Sequence, residues 1–196
     1  MHVPRCLATS MERISQTRVF RNAFERAYGV ALYFRSTKEE RTLVSLPCSK
    51  NRLDSIKWVT PSRLELLAAL VGAWLLSYFS EVTGYDTARS TLWTDTTVAL
   101  SWIRSAPNRW KMFVCNRITA FESRNSPTQC RHCPGRENPA DHLSRGILCS
   151  QILLLDIWWQ WPQWLGKQEG CWPSGNFATT KSLPEGKRRY PRHVLR

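Results

Sequence analysis

From residue 27 to 34 the chain alternates. Tyr28, Val30, Leu32 and Phe34 fall on one side, and Gly29, Ala31 and Tyr33 on the other, the two-residue period of a pleated strand. Residues 18–22 read as a strand before it. A charged turn, 36–41, leads to a third strand near 42–49, so the chain opens as an antiparallel meander. The period then changes. Thr60 suits a helix N-cap and Pro61 the first helical position; residues 64–79 are apolar almost all round, and Gly84 can end the helix. A helix with so little polar face is expected to be covered on more than one side. Residues 90–94 read as a short strand ending at Asp95, 96–104 as a short helix, 110–123 as another after the break at Pro107, and 129–133 as a last strand. Asn138 is expected to cap a final helix with Pro139 at its first position. Strands separated by helices must run parallel to their neighbours, because a parallel return needs a crossover. The expectation is therefore an α/β fold: a mixed five-stranded sheet, an antiparallel meander plus a parallel half, flanked by helices.

The ends differ from the middle. Residues 1–17 are polar and irregular and read as the end of something longer. After Gly146 come an apolar stretch, 152–155, and a tryptophan cluster at Trp158, Trp159, Trp161, Trp164 and Trp172. Large apolar patches mark interfaces, so the cluster is expected to pack against a neighbouring domain. From residue 174 the chain turns to Gly, Pro and basic residues, among them Lys187, Arg188, Arg189 and Arg192, and disorder is expected. The predicted organisation is a leading segment 1–17, a domain 18–150, a Trp-rich packing segment 151–173 and a basic tail 174–196.

Composition narrows the class. A chain of 196 residues suits one domain with tails, and 42% apolar residues are enough for a core. The net charge of +13 favours polyanionic partners, nucleic acid first. Seven cysteines without regular spacing do not make a disulfide framework, and no Asn-x-Ser/Thr glycosylation signal occurs. Both point to an intracellular, cytoplasmic setting. The first residues lack the apolar stretch of a signal peptide. The longest apolar run, 66–76, is too short for a bilayer, so no membrane partner is expected.

Three acids stand where a strand or loop meets a helix: Glu65, Asp95 and Asp141. Each has an ordinary reading alone. Glu65 and Asp141 suit a first helical turn, where the dipole favours an acid, and Asp95 suits an N-cap. Together they suggest a site for hard divalent cations. Such cations take carboxylate oxygens, and a pair of them can clamp a phosphodiester.

The segments that carry these acids resemble a known family. Phe-Arg-Asn-Ala-Phe-Glu-Arg-Ala-Tyr-Gly-Val-Ala-Leu-Tyr (20–33), Arg-Leu-Glu-Leu-Leu-Ala-Ala-Leu (63–70), Leu-Trp-Thr-Asp-Thr-Thr-Val-Ala-Leu-Ser-Trp-Ile (92–103), Asn-Arg-Trp-Lys-Met-Phe-Val-Cys-Asn-Arg (108–117) and Glu-Asn-Pro-Ala-Asp-His-Leu-Ser-Arg-Gly (137–146) are similar to the ribonuclease H region of BEL/Pao-type LTR retrotransposon polyproteins. The likeness runs over roughly residues 3 to 173. The run 157–165 resembles the segment on the C-terminal side of that region, and Val-Pro-Arg-Cys-Leu near the start resembles the preceding polymerase connection. The resemblance implies a ribonuclease H-like fold with the first strand central beside the fourth. It also implies a two-ion site, Mg2+ or Mn2+, cleaving the RNA of RNA–DNA hybrids. Glu65, Asp95 and Asp141 fall on three of the family's four acids. The fourth, an aspartate expected in Cys-Asp-Ala-Ser-Glu, falls on Asn22, and Arg21 and Phe24 stand where small or polar residues are usual. An amide keeps an acceptor oxygen but loses the charge and presents donors to a cation. This copy is thus expected to be an impaired nuclease, the alternative being an inactive nucleic-acid-binding or structural remnant. No Tyr-x-Asp-Asp polymerase motif, protease motif or integrase zinc pattern is present, so the chain reads as a fragment or decayed copy whose partners include other parts of the polyprotein.

Arg104, Arg109, Lys111 and Arg117 interleave with Trp102 and Trp110. They form a candidate hybrid-binding ridge of phosphate contacts and stacking, or a solvated basic face over a tryptophan core. Cys130 and Cys133 lack a second pair for zinc and would face opposite sides of a strand. His132 is a candidate accessory residue for proton transfer or product release, or an ordinary strand-end histidine.

Overall fold

A computed structural model of the chain describes residues 16–25, 27–38, 41–54, 59–159, 161–174 and 183–186. The expected leading segment up to residue 15 and the tail residues Lys187, Arg188, Arg189 and Arg192 lie outside the described residues. Five strands form one sheet in the order β3-β2-β1-β4-β5. β1 (Gln16–Phe24), β2 (Ala27–Lys38) and β3 (Arg41–Leu53) make the antiparallel meander. β4 (Ser90–Thr94) runs parallel to β1, and β5 (Cys130–His132) parallel to β4. β1 is thus central, with β4 beside it. It starts two residues earlier than the alternation suggests, so Gln16 and Thr17 belong to the sheet and not to the leading segment. β3 also outruns its expected end at 49. Pro47 lies within it because β3 is an edge strand, and the register against β2 shifts between Leu32 and Phe34.

The long helix α1 spans Pro61–Thr83. Pro61 starts it as expected, but the Thr60 side chain makes no capping hydrogen bond. Gly84, at φ 69°, ends it with its N–H on the Ser80 carbonyl, 2.8 Å away. By length and composition α1 is long and apolar enough to cross a membrane, which the run 66–76 alone concealed. Here one face of it, with Leu66, Ala69, Ala73 and Leu76, lies on the sheet against Val19, Val30 and Leu32. α2 (Thr97–Ile103) and α3 (Met112–Glu122) complete that layer with Leu100, Ile118 and Phe121.

Alternation along β1 and β2 sends Phe20, Ala31 and Tyr33 to the opposite face. There they meet Trp93 of β4 and the tryptophans of the C-terminal segment, Trp158 in a short helix (Asp156–Trp159), Trp164 and Trp172, all buried. The Tyr33 hydroxyl donates to the Trp158 carbonyl at 3.0 Å, and Arg35 Nε to the Leu165 carbonyl at 2.9 Å. This corrects the expectation that the cluster is a patch left for a missing neighbour. The sheet of the same chain presents a large apolar face, and the tryptophans cover it.

Candidate functional site

β1 and β4 run parallel, so both end at the same edge of the sheet, the usual place for ligands in such folds. Asn22 lies near the end of β1 and is 3% exposed. Asp95 follows β4 directly. Glu65 projects from the second turn of α1 and is buried; its Oε1 accepts from the Ala23 backbone N–H at 2.9 Å. Asp141 opens the short helix α4 (Asp141–Arg145), and its Oδ1 accepts from Asn22 Nδ2 at 2.5 Å. The four predicted residues therefore come to one edge. The Asn22 amide is oriented from both sides, because its Oδ1 also accepts from Ala23 N–H at 2.9 Å.

Sequence reasoning missed two residues here. Arg145 Nε donates to both carboxylate oxygens of Asp141, at 2.8 and 2.7 Å, and its guanidinium lies over the Phe24 ring at 4.0 Å. The four-residue spacing from Asp141 was the available signal. Asn138 was expected to cap the last helix, but it works as a tertiary brace. Its Nδ2 donates to the Arg21 carbonyl at 2.9 Å and its Oδ1 accepts from Ala140 N–H at 3.2 Å, so α4 begins later, at Asp141.

Burial, and then the nearby charge of Asp95, push the Glu65 carboxyl up to about 8; the Ala23 N–H and Arg21 oppose this. Burial also raises Asp95, against hydrogen bonds that include the Asn138 side chain. Arg21 points to the face opposite Asn22, as alternation requires, and is fully buried. Among the described residues its three guanidinium nitrogens find no oxygen or nitrogen partner, and they lie near the Cys130 thiol. Gly135 lets the Asp95 carboxylate approach, since a Cβ there would stand 3.1 Å from Asp95 Oδ2. Among the described residues no group of three or more His, Cys, Asp or Glu side chains has a geometry that could hold one metal ion.

The remaining candidates lie elsewhere or serve the chain. His132 Nε2 is 3.1 Å from the Asp95 carbonyl and so steadies the acid's backbone. Cys130 and Cys133 are buried in opposite cores. Trp102 and Trp110 are buried, their indole N–H groups donating to the Pro184 carbonyl and Ser105 Oγ. Base stacking on them, one of the two readings of this ridge, is corrected to a basic face over a tryptophan core. Arg104 NH2 donates to the Cys130 carbonyl at 2.6 Å, and Arg117 lies on the Phe113 ring at 3.8 Å. Arg109 and Lys111 are exposed.

A mixed sheet in this order, with helices packed on it and Asp95 at the end of a parallel strand, is consistent with a ribonuclease H-like α/β fold. Residues 1–96 match the family model described as the Pao retrotransposon-like RNaseH-like domain. This match supports a ribonuclease H-like region of a Pao-type retrotransposon in that part of the chain. The match includes Asn22, Glu65 and Asp95; Asp141 lies beyond it. No curated protein matches the chain.

Proposed function

We propose that this chain is a retrotransposon-derived ribonuclease H-like domain in which metal-dependent cleavage of RNA in RNA–DNA hybrids is impaired, while affinity for nucleic acid is kept. One observation carries the reading: the Asn22 amide donates to Asp141, so a donor faces the acid where the family places a carboxylate. The residues present fit a divalent pair poorly. Three acids remain where the resemblance expects four, an amide stands in the place of the fourth, and the buried Arg21 guanidinium acts on Glu65. The Arg145–Asp141 pair is a lesser obstacle. Exposed pairs at this helical spacing are worth about 0.3–0.5 kcal/mol, so it would yield to a divalent ion, whereas the missing charge at Asn22 would not.

The test compares wild type, Asn22→Asp, and Asn22→Asp with Asp95→Asn on a labelled hybrid, with Mg2+ or Mn2+. Losing one electrostatic stabiliser commonly costs about 10²–10³ in rate, so Asn22→Asp should gain up to that factor and the double variant should lose it. Thermal shift with Mn2+ should rise in parallel. Wild type turning over as fast as Asn22→Asp would remove Asn22 from the site and end the reading.

A further inference from the structure

At the other end of the sheet, where β1, β4 and β5 begin, lies a cavity of about 490 Å³. Three arginines line it, Arg18, Arg89 and Arg131, and among the described residues Glu169 is the only acid in the lining. Arg18 forms the fixed back wall. Its NH1 donates to the carbonyls of Thr17 and Arg89, both at 3.0 Å, its NH2 to Gln16 Oε1 at 2.6 Å, and its guanidinium lies over the Trp172 ring at 4.7 Å. Burial, the largest cause, lowers its pKa to about 10, so it stays a cation at neutral pH. Arg131 is half-buried beside the Trp93 ring and Arg89 is exposed. The Ser90 hydroxyl borders the cavity, buried and without a hydrogen-bond partner among the described residues.

Glu169 reaches this wall from a short turn, Glu169–Cys171. Its Oε1 lies 3.3 Å from Arg18 NH2 and accepts from Gln16 Nε2 at 2.7 Å, and its side chain is 53% exposed. A half-exposed carboxylate on a guanidinium is weakly held in water. It also leaves two of the three cations of the cavity unbalanced. Guanidinium forks set around one cavity match the oxygens of a phosphate better than they match one carboxylate oxygen.

We propose that this cavity is a phosphate-binding site, with Arg18, Arg89 and Arg131 as its cations and Glu169 as an internal anion that the phosphate displaces. The site does not depend on the acids at the opposite edge, and it stands whether or not the chain cleaves RNA. The ligand is a phosphate group, either of a nucleic-acid backbone or of a free phosphate or phosphomonoester.

The experiment tracks melting temperature and tryptophan fluorescence of the full chain during titration with inorganic phosphate, against chloride at matched ionic strength. Trp172 and Trp93 abut Arg18 and Arg131, so the emission should respond. Saturable stabilisation by phosphate is expected. Removing one charge-assisted contact with Arg89→Ala or Arg131→Ala should weaken binding by about tenfold. Glu169→Gln should tighten it, a result that a merely structural salt bridge would not give. Neither Arg89 nor Arg131 is a core residue, and unchanged melting without phosphate verifies that these variants fold. A short oligonucleotide that gives the same Arg131-dependent signal at lower concentration identifies the backbone as the source; a signal from phosphate alone identifies the free anion. No effect beyond chloride, unchanged binding in both arginine variants, or weaker binding in Glu169→Gln would overturn the proposal.

Discussion

Glu65 Oε2 is buried without a hydrogen-bond partner among the described residues, and that has a measurable cost. An unfolded glutamate ionises near its ordinary value of 4.5, whereas this carboxyl holds its proton to about 8. Below the lower value both states are protonated and nothing is lost. As pH rises between the two values only the unfolded chain releases the proton, so stability falls through that window and levels off above about pH 8. Glu65→Gln removes the titration. Its melting temperature should exceed that of wild type at pH 8–9, by an amount that shrinks towards pH 4.5; a gap that is constant with pH would contradict the assignment. Glu65, Asp95 and Asp141 were legible in the sequence because each sits at a junction of strand or loop with helix, whereas Asn22, inside β1, was legible only through the family resemblance. Arg21 was half legible. Alternation gave its face, but nothing in the sequence told that its guanidinium would lie buried without an oxygen partner among the described residues.

Element by element, the sheet order was readable because period and crossover rules leave few alternatives. α4 was less so. Asn138 and Pro139 are good starting residues for a helix, but Asn138 is drawn into bonding Arg21, a contact 117 residues away that no local rule contains. The seating of α4 depends on a glycine. A Cβ on Gly29 of β2 would stand 2.7 Å from Leu143 Cβ, which belongs to the root of a side chain and cannot swing aside. Gly29→Ala should push α4 off the sheet. Overpacking of this kind costs about 1–3 kcal/mol, to be read from urea unfolding. An unchanged midpoint would mean that α4 has room to move. Through Asp141, at the head of that helix, the same change should also loosen the bond to Asn22.

At the scale of the whole molecule, composition pointed to nucleic acid, and the structure gives the exposure of each candidate cation. Arg104, Arg109 and Lys111 are exposed, Arg104 with one nitrogen on the Cys130 carbonyl and Arg109 beside the Trp110 ring, and Arg117 is half-buried on the Phe113 ring. Neutralising a phosphate-contacting residue should lower the slope of log affinity against log salt by about one unit, so Arg109→Ala with Lys111→Ala should lower it by about two. Binding that ignores salt would point instead to a purely structural remnant. The tryptophan segment shows where composition misleads. Ten tryptophans look like an excess for one small domain until the sheet is seen to have two apolar faces, each needing a cover. A hydropathy pattern tells that residues will be buried but does not name the surface that buries them.

The second cover also gives the molecule an optical signature. The rings of Trp93 and Trp164 are 4.8 Å apart at 59°, and Trp172 lies within 6.2 Å of both. Indoles so close and so steeply inclined couple their electronic transitions. The near-ultraviolet dichroism of this chain therefore carries a contribution from the docking of one segment onto one strand, beside that of the Trp102–Trp110 pair in the other core, while the far-ultraviolet signal reports the backbone of the whole fold. Any condition that lifts the C-terminal segment from the sheet, and leaves β1 to β5 in place, will weaken the first signal and spare the second.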